Sequence, residues 1–156
     1  MPITRIEEST ARDEGAVEFA GGREAYAPGD AIVADAMVRL PKLLPATATA
    51  RDVRDLFLDD HVHAALVVDG ERLLTVIEPH EAEAGGDGPA RTMGTLRGRV
   101  VASYADLWET WAWMTAHGSR RLAVVEDGRC VGLLCLKRSG RGFCCDAGIR
   151  ARALGR

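Results

Sequence analysis

Residues 62–78 read VHAALVVDGERLLTVIE, and residues 119–135 read SRRLAVVEDGRCVGLLC. Each stretch opens on small or basic residues, runs through an apolar segment ending in Val-Val, turns at an acidic residue and Gly, and continues in a second apolar segment. Two short aliphatic runs split by an Asp/Gly turn read as a β-hairpin, because tight hairpin turns need residues that tolerate positive φ. Val67-Val68 recurs as Val124-Val125 at an interval of 57 (124 − 67), and Arg72 recurs as Arg129 at the same interval. The chain therefore carries an internal repeat.

Working outward from the first hairpin, Thr49-Ala50-Arg51-Asp52 has the reciprocal arrangement that starts a helix: Thr49 accepts a backbone hydrogen bond and Asp52 reaches back. Ala50, Val53, Leu56 and Phe57 then share one face, and Asp59-Asp60-His61 ends the helix. Further upstream, Ile32, Val33, Ala36 and Met37 fall on a helical face, and Pro41 stops that turn before a short run at Leu43-Leu44. In the second copy Thr92-Met93 stands for Ala36-Met37 at an interval of 56 (92 − 36), Val100-Val101 for Leu43-Leu44, and Asp106-Leu107-Trp108-Glu109 for the Thr49 cap. Leu107, Trp111 and Met114 form its apolar helix face, and Gly118 breaks the helix. Each copy thus reads strand, helix, strand, strand. The boundaries expected are an arm at 1–30 with little apolar period, a first unit at 31–83, a Gly/Pro linker at 84–90 and a second unit at 91–156. One copy is too small to bury its own apolar faces; two packed together can.

The 156 residues are enough for one ordinary core, burying roughly 70% of the unfolded surface. With 20 basic and 23 acidic residues there is no bulk positive field to hold a nucleic-acid backbone or an anionic membrane. The first residues, MPITRIEESTARDEG, place charges where a secretory leader needs apolar residues, and no run approaches the roughly 18 apolar residues that span a bilayer. A soluble, cytoplasmic protein is the expectation. Cys130, Cys135, Cys144 and Cys145 all fall in the second half, without Cys-x-x-Cys spacing, so reduced thiols are the default. Cys130 and Cys135 read as small apolar core residues, whereas the adjacent pair Cys144-Cys145 offers a strained vicinal disulfide with Cys135 as the only nearby resolving thiol.

The order of these elements, twice at constant spacing, resembles the tandem cystathionine-β-synthase (CBS) domain pair from about Ile32 to Arg150. The matching residues are Val33-Ala34-Asp35-Ala36-Met37, like the family's leading V-x-D-x-M; the h-h-V-V-D-x-G hairpin at Ala65–Gly70 and Leu122–Gly128; and the h-V-G-h-h return at Cys130–Leu134. The family's usual proline before Val-Val is Leu66 and Ala123 here. The resemblance implies an α+β fold of two tandem β-α-β-β-α units packed with pseudo-twofold symmetry, usually dimerising through its helices. It also implies a regulatory function: adenosine nucleotides or S-adenosylmethionine bound in the two clefts, with occupancy relayed to a partner protein.

The family's ligand motif, G-h-x-[ST]-x-x-[DS], pairs a hydroxyl for phosphate or ribose with a carboxylate that accepts from the ribose diol. In the first copy the slots read Thr75-Val76-Ile77-Glu78-Pro79-His80-Glu81; Glu78 would repel phosphate, while Glu81 retains an acceptor. In the second, Gly132–Arg138 offers neither group. An alternative alignment makes Lys137–Gly142 a hairpin tip and starts a last helix near Asp146, so that the slots fall on Cys145 and Gly148 and Asp146 is the only nearby substitute. Against that loss, Arg120 and Arg121 occupy the approach to the second hairpin, where the family often places ligand-contacting groups, with Lys137, Arg138 and Arg141 close in sequence. The other reading of these arginines is a solvated rim paired with acids. The ligand set implied is Glu81, His63, Arg120, Arg121, Arg138 and Asp146. His61 and His63 would need a third ligand to hold a metal, and none occurs at supporting spacing.

Trp111 belongs to the apolar stripe, whereas Trp108 and Trp113 lie off it and read as exposed interface residues, which favours a homodimer. Residues Gly148–Leu154 read as a short basic amphipathic helix. No Ser-His-Asp or Cys-His set and no Gly-x-x-x-x-Gly-Lys loop marks an enzyme. Two functions remain: a regulatory module sensing AMP, ATP or S-adenosylmethionine with no required cofactor, and a ligand-free structural dimerisation module with degenerate clefts.

Overall fold

A computed structural model describes residues 17–18, 29, 31–39, 41–84 and 86–144. In chain order the elements are β1 (Val17–Glu18), β2 (Leu43–Pro45), α1 (Ala50–Leu56), β3 (Ala65–Asp69), β4 (Arg72–Ile77), α2 (Pro79–Ala84), β5 (Val100–Ala102), α3 (Leu107–His117), β6 (Arg121–Glu126), β7 (Arg129–Cys135) and β8 (Gly142–Phe143), with 3-10 turns at Val33–Asp35 and Ala90–Thr92. The local signals account for most of them. Asp52 N–H donates to Thr49 Oγ1 and Thr49 N–H donates back to Asp52 Oδ2, closing the capping box of α1. Asp106 Oδ2 accepts from Glu109 N–H at 2.8 Å to cap α3, which ends at Gly118 with φ 66°. Asp127 (φ 51°) and Gly128 (φ 80°) make the second hairpin turn.

The strands form a six-stranded mixed sheet in the order β2-β3-β4-β7-β6-β5. Its outer strands pair parallel and its hairpins antiparallel, so the order reads the same from either edge. The two hairpins meet at Arg72 and Arg129. Here Leu73 N–H donates to Gly128 O (3.0 Å) and Cys130 N–H to Glu71 O (2.8 Å), two bonds that exchange under a shift of 57 (130 − 73). The tandem units are therefore related by a pseudo-twofold axis through the hairpin tips, and the fold is α+β as expected.

Beyond that contact each inner strand takes its partner from the other unit's leading segment. Val38 exchanges both backbone bonds with Leu133 (2.8 and 2.9 Å), and Thr95 exchanges both with Val76 (3.1 and 3.4 Å). The bridges Ile32↔Asp106 and Thr49↔Pro89 repeat the swap nearer the helices. These paired bonds fix one register throughout. Ala36 and Met37 therefore correspond to Met93 and Gly94, and the interval of 56 expected for Thr92-Met93 is corrected to 57 (93 − 36). The helical face expected at Ile32–Met37 is a single 3-10 turn, held by Asp35 Oδ2 accepting from Ile32 N–H. The swap brings chains close: a Cβ on Gly132 would lie 2.6 Å from Met37 Sδ, and one on Gly94 would lie 2.1 Å from Val76 O.

Three apolar clusters follow from this exchange. Val53, Ala65, Val67 and Ile77 of the first unit pack with Ala90 at the end of the linker and Met93 of the second unit, while Leu107, Met114, Leu122, Val124, Leu134 and Phe143 pack with Val33 and Met37 of the first. Leu66, Val68, Leu73, Val76 and Ala123 lie between the units. At about 1.5–3 kcal/mol per buried Val, Leu, Ile, Phe or Met side chain, a unit deprived of its partner loses several such contributions at once.

Trp111 is half-buried as expected, and its Nε1–H donates to Gly140 O at 2.7 Å. Trp108 corrects its assignment to an exposed face. It is half-buried against the second unit's core, its Nε1 is buried without a partner among the described residues, and its ring centroid lies 6.3 Å from that of Trp111. The buried stripe of α3 includes Thr110 beside Leu107 and Met114, and so is wide enough to take in Trp108. Trp113 is exposed and stacks on His117 at 4.2 Å. Within the N-terminal arm, Val17–Glu18 pairs antiparallel with Gly142–Phe143. Residues 137–142 form the hairpin tip of the alternative alignment, with Lys137 N–H donating to Gly142 O. Cys145, Asp146 and the helix expected at Gly148–Leu154 lie outside the described residues. No helix among the described residues is long and apolar enough to cross a membrane.

Candidate functional site

His63 lies just before β3, Arg120 precedes β6 and Arg121 opens it, and Arg138 sits in the turn after β7. His63 and Arg120 are the two units' equivalent positions (120 − 63 = 57). Each precedes the first strand of its own unit's hairpin, and the fold brings the two approaches near one another. His63 feels Arg121, Arg120 and Arg138. Burial first, then the charges of Arg121, Arg120, His61 and Arg138, hold its pKa below the usual histidine value. Arg120 is likewise lowered, by burial and then by Arg121. Its Nε–H donates to the Leu136 carbonyl at 3.2 Å, and no other bond to its guanidinium is made among the described residues. Among the described residues no carboxylate pairs with Arg120, Arg121 or Arg138. Like charges held together at a partly buried surface repel, so this arrangement is relieved by an anion.

Glu81 stands apart from that group. Arg99, which follows the second unit's swapped leading segment, reaches α2 of the first: Nη1 donates to Glu81 Oε1 at 2.7 Å and to Val76 O at 2.7 Å, Nη2 donates to Glu81 Oε2 at 3.2 Å, and Glu78 Oε1 is 3.3 Å away. Burial raises the Glu81 pKa, but the Arg99 hydrogen bond, the Glu78 N–H bond and the Arg99 charge outweigh it, so the carboxyl sits below its usual range. The acceptor expected for a ribose diol is thus engaged by an internal guanidinium. Beside it a groove of about 330 Å³ runs between α2 and the Ala90–Thr92 turn, lined by Glu81, Ala84, Gly88, Pro89, Thr92 and Met93. Arg99 was not singled out from sequence. Its equivalent is Lys42 (99 − 42 = 57), paired with Asp59 at the surface, so the repeat itself gave no sign of the clamp.

The candidates divide, then, into a cationic group of His63, Arg120, Arg121 and Arg138, and an ion pair at Glu81; Asp146 lies outside the described residues. No three His, Cys, Asp or Glu side chains converge to hold a metal ion among the described residues.

This architecture, a palindromic sheet with two swapped leading segments, is the fold of a tandem CBS pair. Solved structures share it. The AcuB protein of Vibrio cholerae is similar with a TM-score of 0.60 at 23% identity, covering 80% of this chain and 90% of that one. CBSX2 in complex with AMP is similar with a TM-score of 0.60 at 20% identity, covering 80% and 98%. The CBS domain protein PAE2072 of Pyrobaculum aerophilum, complexed with AMP, is similar with a TM-score of 0.56 at 24% identity, covering 69% and 93%. No family model and no curated protein matches the chain.

Proposed function

We propose that the chain is a regulatory module that binds a phosphorylated adenosyl ligand, AMP or ATP, at the cationic group and relays its occupancy to a partner protein. The observation that carries this reading is the convergence of Arg120, Arg121 and Arg138 around His63 with no acid paired to them among the described residues. Two structures of the same fold hold AMP. Three guanidiniums favour a phosphate over the sulfonium of S-adenosylmethionine, because guanidinium matches a phosphate edge with paired hydrogen bonds. A bound phosphate would offset the arginine charges that, after burial, lower the His63 pKa. A homodimer through the exposed Trp113 face of α3 is part of the same proposal.

Thermal unfolding with AMP, ATP, adenosine and S-adenosylmethionine tests the reading. Ligand at about 100 times its Kd stabilises the folded state by about 2.7 kcal/mol, and the nucleotides are expected to raise the Tm most. Arg120→Ala should weaken AMP more than adenosine; equal losses would remove the phosphate role. The second reading, a ligand-free structural module, is favoured by the capture of Glu81 by Arg99. No Tm shift with any of the four compounds would select it.

A further inference from the structure

The last turn of the described chain brings two thiols together. Cys135 ends β7 and Cys144 follows β8, and the antiparallel bridge between Leu136 and Phe143 sets them opposite one another. Cys144 N–H donates to the Cys135 carbonyl at 2.8 Å, and the Sγ atoms are 3.3 Å apart. Facing residues bonded in this way hold their Cα atoms about 5.5 Å apart, within the range of about 4.4–6.8 Å that a disulfide spans. Bonding at about 2.05 Å requires the sulfurs to close by little more than 1 Å, within the reach of side-chain rotation. The expected vicinal partner, Cys145, lies outside the described residues; the neighbour of Cys144 in space is Cys135.

We propose that Cys135 and Cys144 are a redox pair, oxidised by a hydroperoxide to a reversible disulfide that pins the 136–143 tip. The roles follow from burial and bonding. Cys135 is buried, and its thiol donates to Cys144 Sγ, so it keeps its proton; Cys144 is half-buried and lies within the field of Arg120, which favours thiolate there. The Cys144 thiolate attacks one peroxide oxygen, the O–O bond breaks, and the departing oxygen leaves as water or alcohol once protonated, giving a sulfenic acid. The Cys135 sulfur then attacks that sulfenic sulfur and the S–O bond breaks. The hydroxide released takes the Cys135 proton as water. The sum is two thiols and one hydroperoxide giving one disulfide, water and the reduced peroxide, and a dithiol reductant reverses it.

The tip so pinned carries Arg138, and Leu136 within it accepts from Arg120. Oxidation is therefore coupled to the phosphate site, a consequence that rests on the reading given under Proposed function. Fixing Arg138 removes ordering cost from binding, so AMP binds the oxidised chain several-fold more tightly.

The experiment treats the full chain with hydrogen peroxide, maps it without reduction by mass spectrometry with fragmentation, and measures AMP by calorimetry in both states. The expected product links Cys135 to Cys144, is reversed by dithiothreitol, persists in Cys145→Ser and is absent from Cys144→Ser. A Cys144–Cys145 link, or sulfonic acid at Cys144 with Cys135 still a thiol, would overturn the pair. Equal AMP affinity in both states overturns the coupling. The absence of AMP binding in both states defeats the phosphate-site reading and the coupling with it, while the mapped link alone decides the disulfide.

Discussion

Arg99→Ala asks whether the clamp between the units holds the fold. The Arg99 side chain is 13% exposed, and its guanidinium makes charge-assisted bonds at 2.7 and 3.2 Å to Glu81, whose side chain is 22% exposed, and at 2.7 Å to the Val76 carbonyl. Truncation removes the charged donor from a partly buried carboxylate that keeps only the Glu78 N–H, and one of two donors from the Val76 carbonyl, which keeps the Thr95 N–H. A fully buried pair loses about 3–5 kcal/mol when one partner goes, and an exposed pair loses about 0–1 kcal/mol. Partial water access places this site between, at about 2 kcal/mol. At roughly 2–4 °C per kcal/mol for a chain of this size, the Tm should fall by about 4–8 °C. The repeat supplies its own control. Lys42, the equivalent residue, pairs with Asp59 through a side chain 63% exposed, and Lys42→Ala should cost no more than about 0.5 kcal/mol. Urea unfolding of both variants measures the contrast, with unchanged m-values showing that stability alone has moved. Equal losses would refute the argument that Arg99 ties the units together.

Two further outcomes follow from the same contacts. Because the Glu81 carboxyl is depressed from its usual value of about 4.5, its contribution is complete above that pH and is lost as the pH falls through the lowered folded value; wild-type stability should decline in that acid window, and Arg99→Gln should flatten that component of the decline in a pH series of urea unfolding. Gly94→Ala should cost more than Gly132→Ala in thermal unfolding. Its new Cβ would stand 2.1 Å from a backbone oxygen, whereas at Gly132 the flexible Met37 side chain can move, although the Val38 carbonyl at 2.7 Å cannot; about 1–3 kcal/mol is expected at Gly132.

The repeat was legible because hairpins and caps are local. Val67-Val68 before Asp69-Gly70, Thr49 with Asp52, and Gly118 after α3 each state their structure within a few residues, and each formed it. What stayed hidden was non-local. The exchange of Val38 and Thr95 between units depends on partners 95 and 19 residues away (133 − 38; 95 − 76), and no local period announces it. The same blindness misplaced Met37 by one position and passed over Arg99, whose importance comes from the carboxylate it meets and not from its neighbours in sequence. Trp108 was misjudged because a narrow stripe was assumed where the helix packs broadly. For the site, the arginines and His63 were named from a resemblance, while their shared surface required coordinates.

The exchanged leading segments also bear on how the protein is made. As the chain leaves the ribosome, Val76 emerges before Thr95, and Val38 waits for Leu133 until nearly all of the described chain has been synthesised. The first half therefore reaches the cell with an unfilled strand edge and cannot complete itself ahead of the second. Truncated translation products should present that edge to chaperones and proteases instead of surviving as a working half.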